Sequence, residues 1–166
     1  MADGLDFKKQ GFIEEVGLFF EEAGMPRMAG RILGCLLLSD QPHRSSDEMA
    51  EALMASKGSI STATRFLIQV GLIERVSLPG VRHDYFSIRP SAFQHALKHG
   101  VEQVTKLRQL AERGLELLGD RASLTRRRLE EVYDMYSFFE REYPLLLERW
   151  EQEHERLRQK SGRKEG

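Results

Sequence analysis

The chain has 166 residues, 40% of them hydrophobic and 31% charged, with a formal net charge of −1. That length suits one domain, or one domain with a helical extension, and the apolar fraction excludes a disordered chain. The balanced charge excludes a molecule that is basic all over, and a single cysteine, Cys35, excludes an internal disulfide and fits a reducing interior.

Residues 1 to about 8 carry no strong pattern. Phe12, Val16, Phe19, Phe20 and Ala23 then fall on one helical face, with Glu14, Glu15, Glu21 and Glu22 mostly opposite, and Gly24 is placed to end that helix. A second helix is predicted over about Pro26 to Ser39, with Pro26 near its first turn and apolar residues on most sides, so it should be largely buried. Gly30 and Gly34, four apart, would let another backbone approach closely. The apolar run Ile32 to Leu38 around Cys35 is far shorter than the roughly 20 residues a membrane-spanning helix requires. No charged-then-apolar segment opens the chain, and the expected location is the cytoplasm, with no membrane partner.

After the loop signal Asp40-Gln41-Pro42-His43, the stretch Ser45 to Pro90 organises the chain. Ser45 and Glu48 have capping-box spacing, and Met49, Ala50 and Leu53 give a short helix its apolar stripe. Ser56 is a second helix start, followed by Ile60, Ala63, Leu67 and Val70 at helical spacing, with Gly71 where a left-handed residue should end the helix. At 100° per residue, Gly58, Thr62, Arg65 and Gln69 point away from that stripe, with Ser61 beside them. These are small or hydrogen-bonding side chains with one long cation and no acid. Ser and Thr can meet base edges or phosphates, and Arg can fork onto guanine, whereas an ordinary solvated face more often mixes Glu with Lys.

The period then becomes extended. Leu72, Ile73 and Val76, and later Tyr85, Phe86 and Ile88, suit two strands joined at Leu78-Pro79-Gly80-Val81, which has Pro and Gly at the centre of a type II turn. Arg82 and His83 stand just past the tip, where a ribbon could reach a neighbouring groove. Helix, turn, helix, hairpin is the winged-helix order. From Ser56 to Pro90 five cations stand against two acids, a local basic footprint on a near-neutral chain.

Beyond Pro90 and Ser91, Leu97, Val101, Val104, Leu107, Ala111, Leu115 and Leu118 keep helical spacing as far as Gly119-Asp120. From about Leu124, the positions Leu129, Val132, Tyr136, Phe139, Tyr143, Leu146 and Trp150 alternate steps of three and four, a heptad pattern with an expected kink at Pro144. A small winged helix cannot cover two long apolar seams. They are expected to meet a partner copy in a homodimer reading an inverted repeat, the alternative being a hairpin within one chain.

The expected architecture is therefore mainly α with a small β-hairpin wing: a winged helix-turn-helix domain plus long dimerisation helices. Its divisions are N-terminal helices over 1–44 for dimerisation and core, the DNA-binding unit over 45–90, C-terminal dimerisation helices over 91–160, and a disordered tail over 161–166.

The chain resembles the multiple-antibiotic-resistance (MarR) regulators, and specifically their GbsR-like branch, over roughly residues 10 to 155. The residues that carry this are Phe12-Ile13-Glu14-Glu15-Val16-Gly17, the run Gly24-Met25-Pro26-Arg27-Met28-Ala29-Gly30-Arg31-Ile32-Leu33-Gly34, Ser56-Lys57-Gly58 and Gly71-Leu72-Ile73. Two departures concern which DNA sequence is preferred. The wing tip Pro79-Gly80-Val81-Arg82-His83-Asp84 lacks the acid-x-Arg-Arg run of the wider family, and Ser59 and Thr62 stand where relatives often place amides. The resemblance implies an effector pocket between the DNA-binding unit and the dimerisation helices, with Phe19, Phe20, Tyr133, Tyr136 and Phe139 as candidate linings. Such rings can hold a quaternary ammonium group by cation–π attraction, or can simply fill the core. Cys35 is read as a buried inert thiol, and the resemblance adds a redox switch as the other possibility.

His95 and His99 are four apart with Glu102 near the same side, but zinc takes three or four protein ligands, so no metal site and no cofactor are expected. The chain carries no phosphate-cradling glycine loop, nucleophile elbow or His-Glu zinc motif, and an enzyme is not expected. The functional expectation is a dimeric regulator, a repressor, that binds double-stranded DNA and is released by a small-molecule effector. Ser61, Thr62 and Arg65 contact bases, with Ser59 and Gln69 on the same helix. Ser56 and Lys57 contact phosphates, and Arg82 and His83 serve the wing. The alternative from another class is a helical protein-interaction module whose winged helix does not read DNA.

Overall fold

A computed structural model of the chain describes residues 2–78, 84–119 and 124–162, with side chains from 7 to 160. Six helices and three short strands run in the order α1 (Ala2–Glu22), α2 (Arg27–Leu37), β1 (Arg44–Ser45), α3 (Ser46–Ala52), α4 (Lys57–Gln69), β2 (Ile73–Val76), β3 (Tyr85–Ile88), α5 (Ala92–Leu118) and α6 (Leu124–Gly162). They divide into two compact units, one ending at Ala96 and one beginning at Leu97. The architecture is the mainly helical one expected, with α3, α4 and the β2–β3 pair in winged-helix order.

α1 and α2 form an antiparallel pair whose geometry is set by glycine. A Cβ built on Gly30 would lie 2.4 Å from the Val16 carbonyl oxygen and 2.8 Å from the Gly17 Cα, and one on Gly34 would lie 3.1 Å from the Ile13 Cα. The close approach expected of Gly30 and Gly34 is thus made, and its partner is α1. It also rotates α1 relative to the expected stripe. Ile13, Val16 and Phe20 pack on the core, while Phe12, Phe19 and Ala23 are exposed. Glu14, expected on the outer side, instead faces α2 and pairs with Arg27 and Arg31. Backbone-to-backbone contact outweighs aromatic burial here because many close-packed atoms are gained together. The helix also begins at Ala2, ahead of any apolar period, since extending a packed helix adds one hydrogen bond per residue fixed.

The core of the first unit joins these helices to the winged helix. Phe20, Ile32, Leu33, Met49, Leu53, Ile60, Leu67, Ile73 and Phe86 are buried together, with Cys35 among them. Burial pushes the Cys35 thiol up from its ordinary value against the opposing charge of Arg44, which keeps the inert protonated form. Thr64 is buried yet satisfied, its hydroxyl donating to the Ile60 carbonyl at 2.9 Å. The sheet has one more strand than expected: β1 pairs antiparallel with β3, Arg44 opposite Phe86, giving the order β1-β3-β2. Two residues are too few for any alternation to announce a strand.

Several ends are built as expected. The Ser45 N–H donates to Glu48 at 2.7 Å and the Glu48 N–H to the Ser45 hydroxyl at 3.2 Å, a complete capping box. Gly24 and Gly71 both have positive φ, 74° and 79°. At each, the residue after glycine donates back five positions, Met25 to Phe20 and Leu72 to Leu67, closing the helix in a Schellman motif.

In the second unit α5 and α6 run antiparallel. Leu129 packs on Gly114, Arg108 pairs with Glu112 and Glu140, and Lys98 pairs with Glu151 at 3.2 Å. Ala111 is buried and Leu115, Leu129, Val132, Tyr136 and Phe139 are partly covered, so over this stretch the two seams meet within the chain. Further along, Leu97, Tyr143, Leu146 and Trp150 stay exposed. α6 continues through Pro144 without a break. α6 runs on to Gly162, two residues into the tail expected over 161–166; the rest of that tail and the turn centred on Pro79 and Gly80 lie outside the described residues.

Two outcomes test this packing. Gly30→Ala should destabilise by about 1–3 kcal/mol in thermal melts, the usual cost of forcing a methyl into filled space. Gly11→Ala, where nothing lies within 4 Å, should instead stabilise by roughly 0.5–1 kcal/mol. At the α3 cap, Ser45→Ala should cost about 1 kcal/mol. Hydrogen bonding from the Ser45 backbone holds the Glu48 carboxyl below its ordinary value, so its contribution is full above the usual carboxylate range and is lost as pH falls through the lowered folded value. The stability gap between wild type and Glu48→Gln, followed by melting at decreasing pH, should therefore close on the acid side.

Candidate nucleic-acid interface

α4 owes its orientation to what it buries. Ile60, Ala63 and Leu67 are almost inaccessible, with α4 packed against α2, α3 and β2. Rotation by 100° per residue then leaves Gly58, Ser61, Thr62, Arg65 and Gln69 exposed on the other side. Among the described residues the Arg65 guanidinium has no hydrogen bond or ion pair. It is a cation free to be used by something else.

The N-terminal turn of α4 is more committed. The Ser56 hydroxyl accepts the Ser59 N–H at 3.2 Å, which caps the helix and leaves its own proton to donate. Ser59 is partly buried and sits behind the open face. Lys57 lies 2.7 Å from Asp47 at the start of α3, a pairing that a separation of ten residues in sequence did not reveal. Both groups are largely in solvent, so a phosphate would have to displace only a weak surface pair. At the base of the wing Arg75 and Asp84 stand 3.5 Å apart. Arg82 and His83 lie outside the described residues.

The effector candidates separate into two groups. On α1 the Phe19 and Phe20 rings meet edge to face at 6.2 Å, Phe20 inside the core and Phe19 exposed. On α6 Tyr136 is 6.3 Å from Phe139, which stacks on Tyr143 at 5.3 Å, and the Arg108 guanidinium lies 6.0 Å from the Tyr133 ring centre. A cavity of about 320 Å³ in the first unit is lined by other residues: Phe7, Gln10, Gly11, Ile13, Glu14, Arg31, Ala52, Leu53 and Met54.

His99 is 3.7 Å from Glu102, and the His95 Cβ lies 3.4 Å from where a Gly71 side chain would start. Among the described residues no three His, Cys, Asp or Glu side chains are grouped to hold a metal ion, and no helix is long and apolar enough to cross a membrane.

Comparison with known proteins agrees with this geometry. The family model for MmpR5-like MarR family transcriptional regulators matches residues 91–153. The HTH-type transcriptional regulator MmpR5 of Mycobacterium tuberculosis is 42% identical over 141 residues, covering 85% of this chain and 86% of that protein. The HTH-type transcriptional repressor OpcR of Bacillus subtilis is 29% identical over 92 residues, 55% of this chain and 49% of that one. A crystal structure described as that of a transcriptional regulator superimposes with a TM-score of 0.80 at 41% identity, over 87% of this chain and 99% of the other. With α4 exposed on its outer side, a winged-helix fold and a relative 42% identical over 86% of its length, the chain belongs to the MarR family of helix-turn-helix transcriptional regulators.

Proposed function

We propose that the chain represses transcription as a homodimer, laying α4 of each copy into successive major grooves of an inverted-repeat operator and leaving the DNA when a small molecule binds. The observation that carries this is the outward face of α4, where Ser61, Thr62, Arg65 and Gln69 are exposed together, no acid interrupts them, and Arg65 has no partner among the described residues. Arg65 forks onto a guanine, Ser61 and Thr62 meet neighbouring base edges, and Ser56 and Lys57 hold the flanking phosphates. Arg82, with His83 beside it, follows the adjoining groove. The repressor sense is supported by the likeness to OpcR, a transcriptional repressor, and the GbsR-like affiliation by the run Gly24 to Gly34.

The dimer is supported by apolar surface that the second unit leaves open. Leu110 and Leu117 on α5, and Leu124, Phe138, Leu146 and Trp150 on α6, are all exposed, with Leu117 at 88%. Large apolar side chains left in water on both helices mark an interface, and in a homo-oligomer the partner is a second copy. The effector belongs to the same proposal. On α6 the Tyr136 and Phe139 rings, 6.3 Å apart, are the aromatic surface that supports it.

A mobility-shift titration on the DNA upstream of the chain's own gene tests the proposal. Binding should resist competitor and weaken steeply with salt. Arg65→Ala should lose about 1–3 kcal/mol on that DNA and relax the preference at one base pair. Sedimentation should give twice the chain mass. A monomer, or a shift that any competitor abolishes, would favour instead a protein-interaction module built on a winged helix.

A further inference from the structure

The turn between α3 and α4 is made in an unusual way. α3 closes with the same pair of hydrogen bonds as the helices that end at Gly24 and Gly71: the Met54 N–H donates to Glu51 at 3.1 Å and the Ala55 N–H to Ala50 at 2.9 Å. Yet the left-handed position, with φ of 49°, is held by Met54 and not by glycine. A side chain there crowds the following carbonyl, at a cost of roughly 1–2 kcal/mol. The Met54 side chain is 87% exposed, so burial returns little. α3 has only seven residues and cannot enforce the turn by its own length.

What grips the turn from outside is Arg31 of α2. Its Nη2 donates to the carbonyl of Leu53, the residue immediately before Met54, at 3.0 Å, and its Nε donates to Glu14 of α1 at 2.7 Å. Arg27 donates to the other oxygen of the same carboxylate at 3.1 Å. Although burial pushes the Glu14 carboxyl up, the two guanidinium groups hold it below its ordinary value. Only 19% of the Arg31 side chain is exposed. One planar fork therefore ties α1, α2 and the carbonyl of Leu53, the residue that caps α3, together, at the C-terminal end of a helix where a cation is favoured.

We propose, resting on the DNA-reading role of α4, that Arg31 is the positioning residue of the recognition helix: by holding the Leu53 carbonyl it keeps Met54 left-handed and so sets the direction in which α4 departs. Arg31 acts through the turn and touches no DNA. Two consequences separate this from a plain packing role. Removing the fork lowers operator affinity without changing the number of phosphates neutralised. The loss also depends on Met54, because a glycine would hold the left-handed turn unaided.

The test is a double-mutant cycle on operator affinity with Arg31→Met, Met54→Gly and the pair. Arg31→Met should bind on the order of tenfold more weakly, the usual scale for one charged hydrogen bond, with the slope of affinity against salt unchanged. In the Met54→Gly background the same substitution should cost about threefold or less, since residues that share one backbone turn couple. Equal losses in both backgrounds, unchanged affinity in Arg31→Met, or a salt slope shallower by about one phosphate would each overturn the assignment. Should Arg31→Met fail to melt cooperatively, Glu14→Gln replaces it in the same cycle. If the wild type itself binds no operator, the DNA-reading role fails separately. Amide exchange then decides the positioning role alone: residues 54–58 should open faster in Arg31→Met than in wild type, and equal rates would refute it.

Discussion

Burial of Ile60, Ala63 and Leu67 is the constraint from which the rest follows. Ile60 and Leu67 are each worth roughly 1.5–3 kcal/mol when removed from water, and turning α4 by one residue would expose them and bury Thr62 or Arg65 instead. The rotation of α4 is thus set by the core, and the core alone determines which side chains its outer face presents.

The core can do this because it has something rigid behind it. α2 is buried on most sides, and the α1–α2 contact through Gly30 leaves little freedom for sliding, since the backbone of one helix touches that of the other. The winged helix is therefore mounted on the N-terminal pair within one continuous core. Gly24 ends one helix, Gly30 and Gly34 admit the other, and Arg31 reaches the turn.

Where local chemistry decides structure, the sequence was legible. The Ser45–Glu48 box, the Ser56 cap, Gly71 and the apolar stripe of α4 are each set by neighbours a few residues away, and so the open face of α4 could be read off by rotation. What could not be read depends on contacts distant in sequence. Hydropathy points the α1 stripe at Phe12 and Phe19, because aromatic side chains outweigh glycine in any such pattern, although the glycines choose the contact face. β1 is too short to show alternation. The Lys57–Asp47 and Arg31–Leu53 contacts join residues whose proximity only the fold creates. Met54 offered no signal at all, since nothing about methionine suggests a left-handed turn. In the second unit the heptad positions were legible but their partner was not: Leu129 to Phe139 find α5, and the same period continues unpartnered to Trp150.

The claim that everything else serves is that the Thr62/Arg65 side of α4 lies against the duplex. Cys35 is buried, so an iron chelate tethered to Thr62→Cys would label one accessible place. Radical cleavage of operator DNA by that conjugate should cut at two positions related by the dyad, about one helical turn apart, each inside a half-site. Cutting of that kind from a chelate on the open face of α6, with none from position 62, would contradict the account.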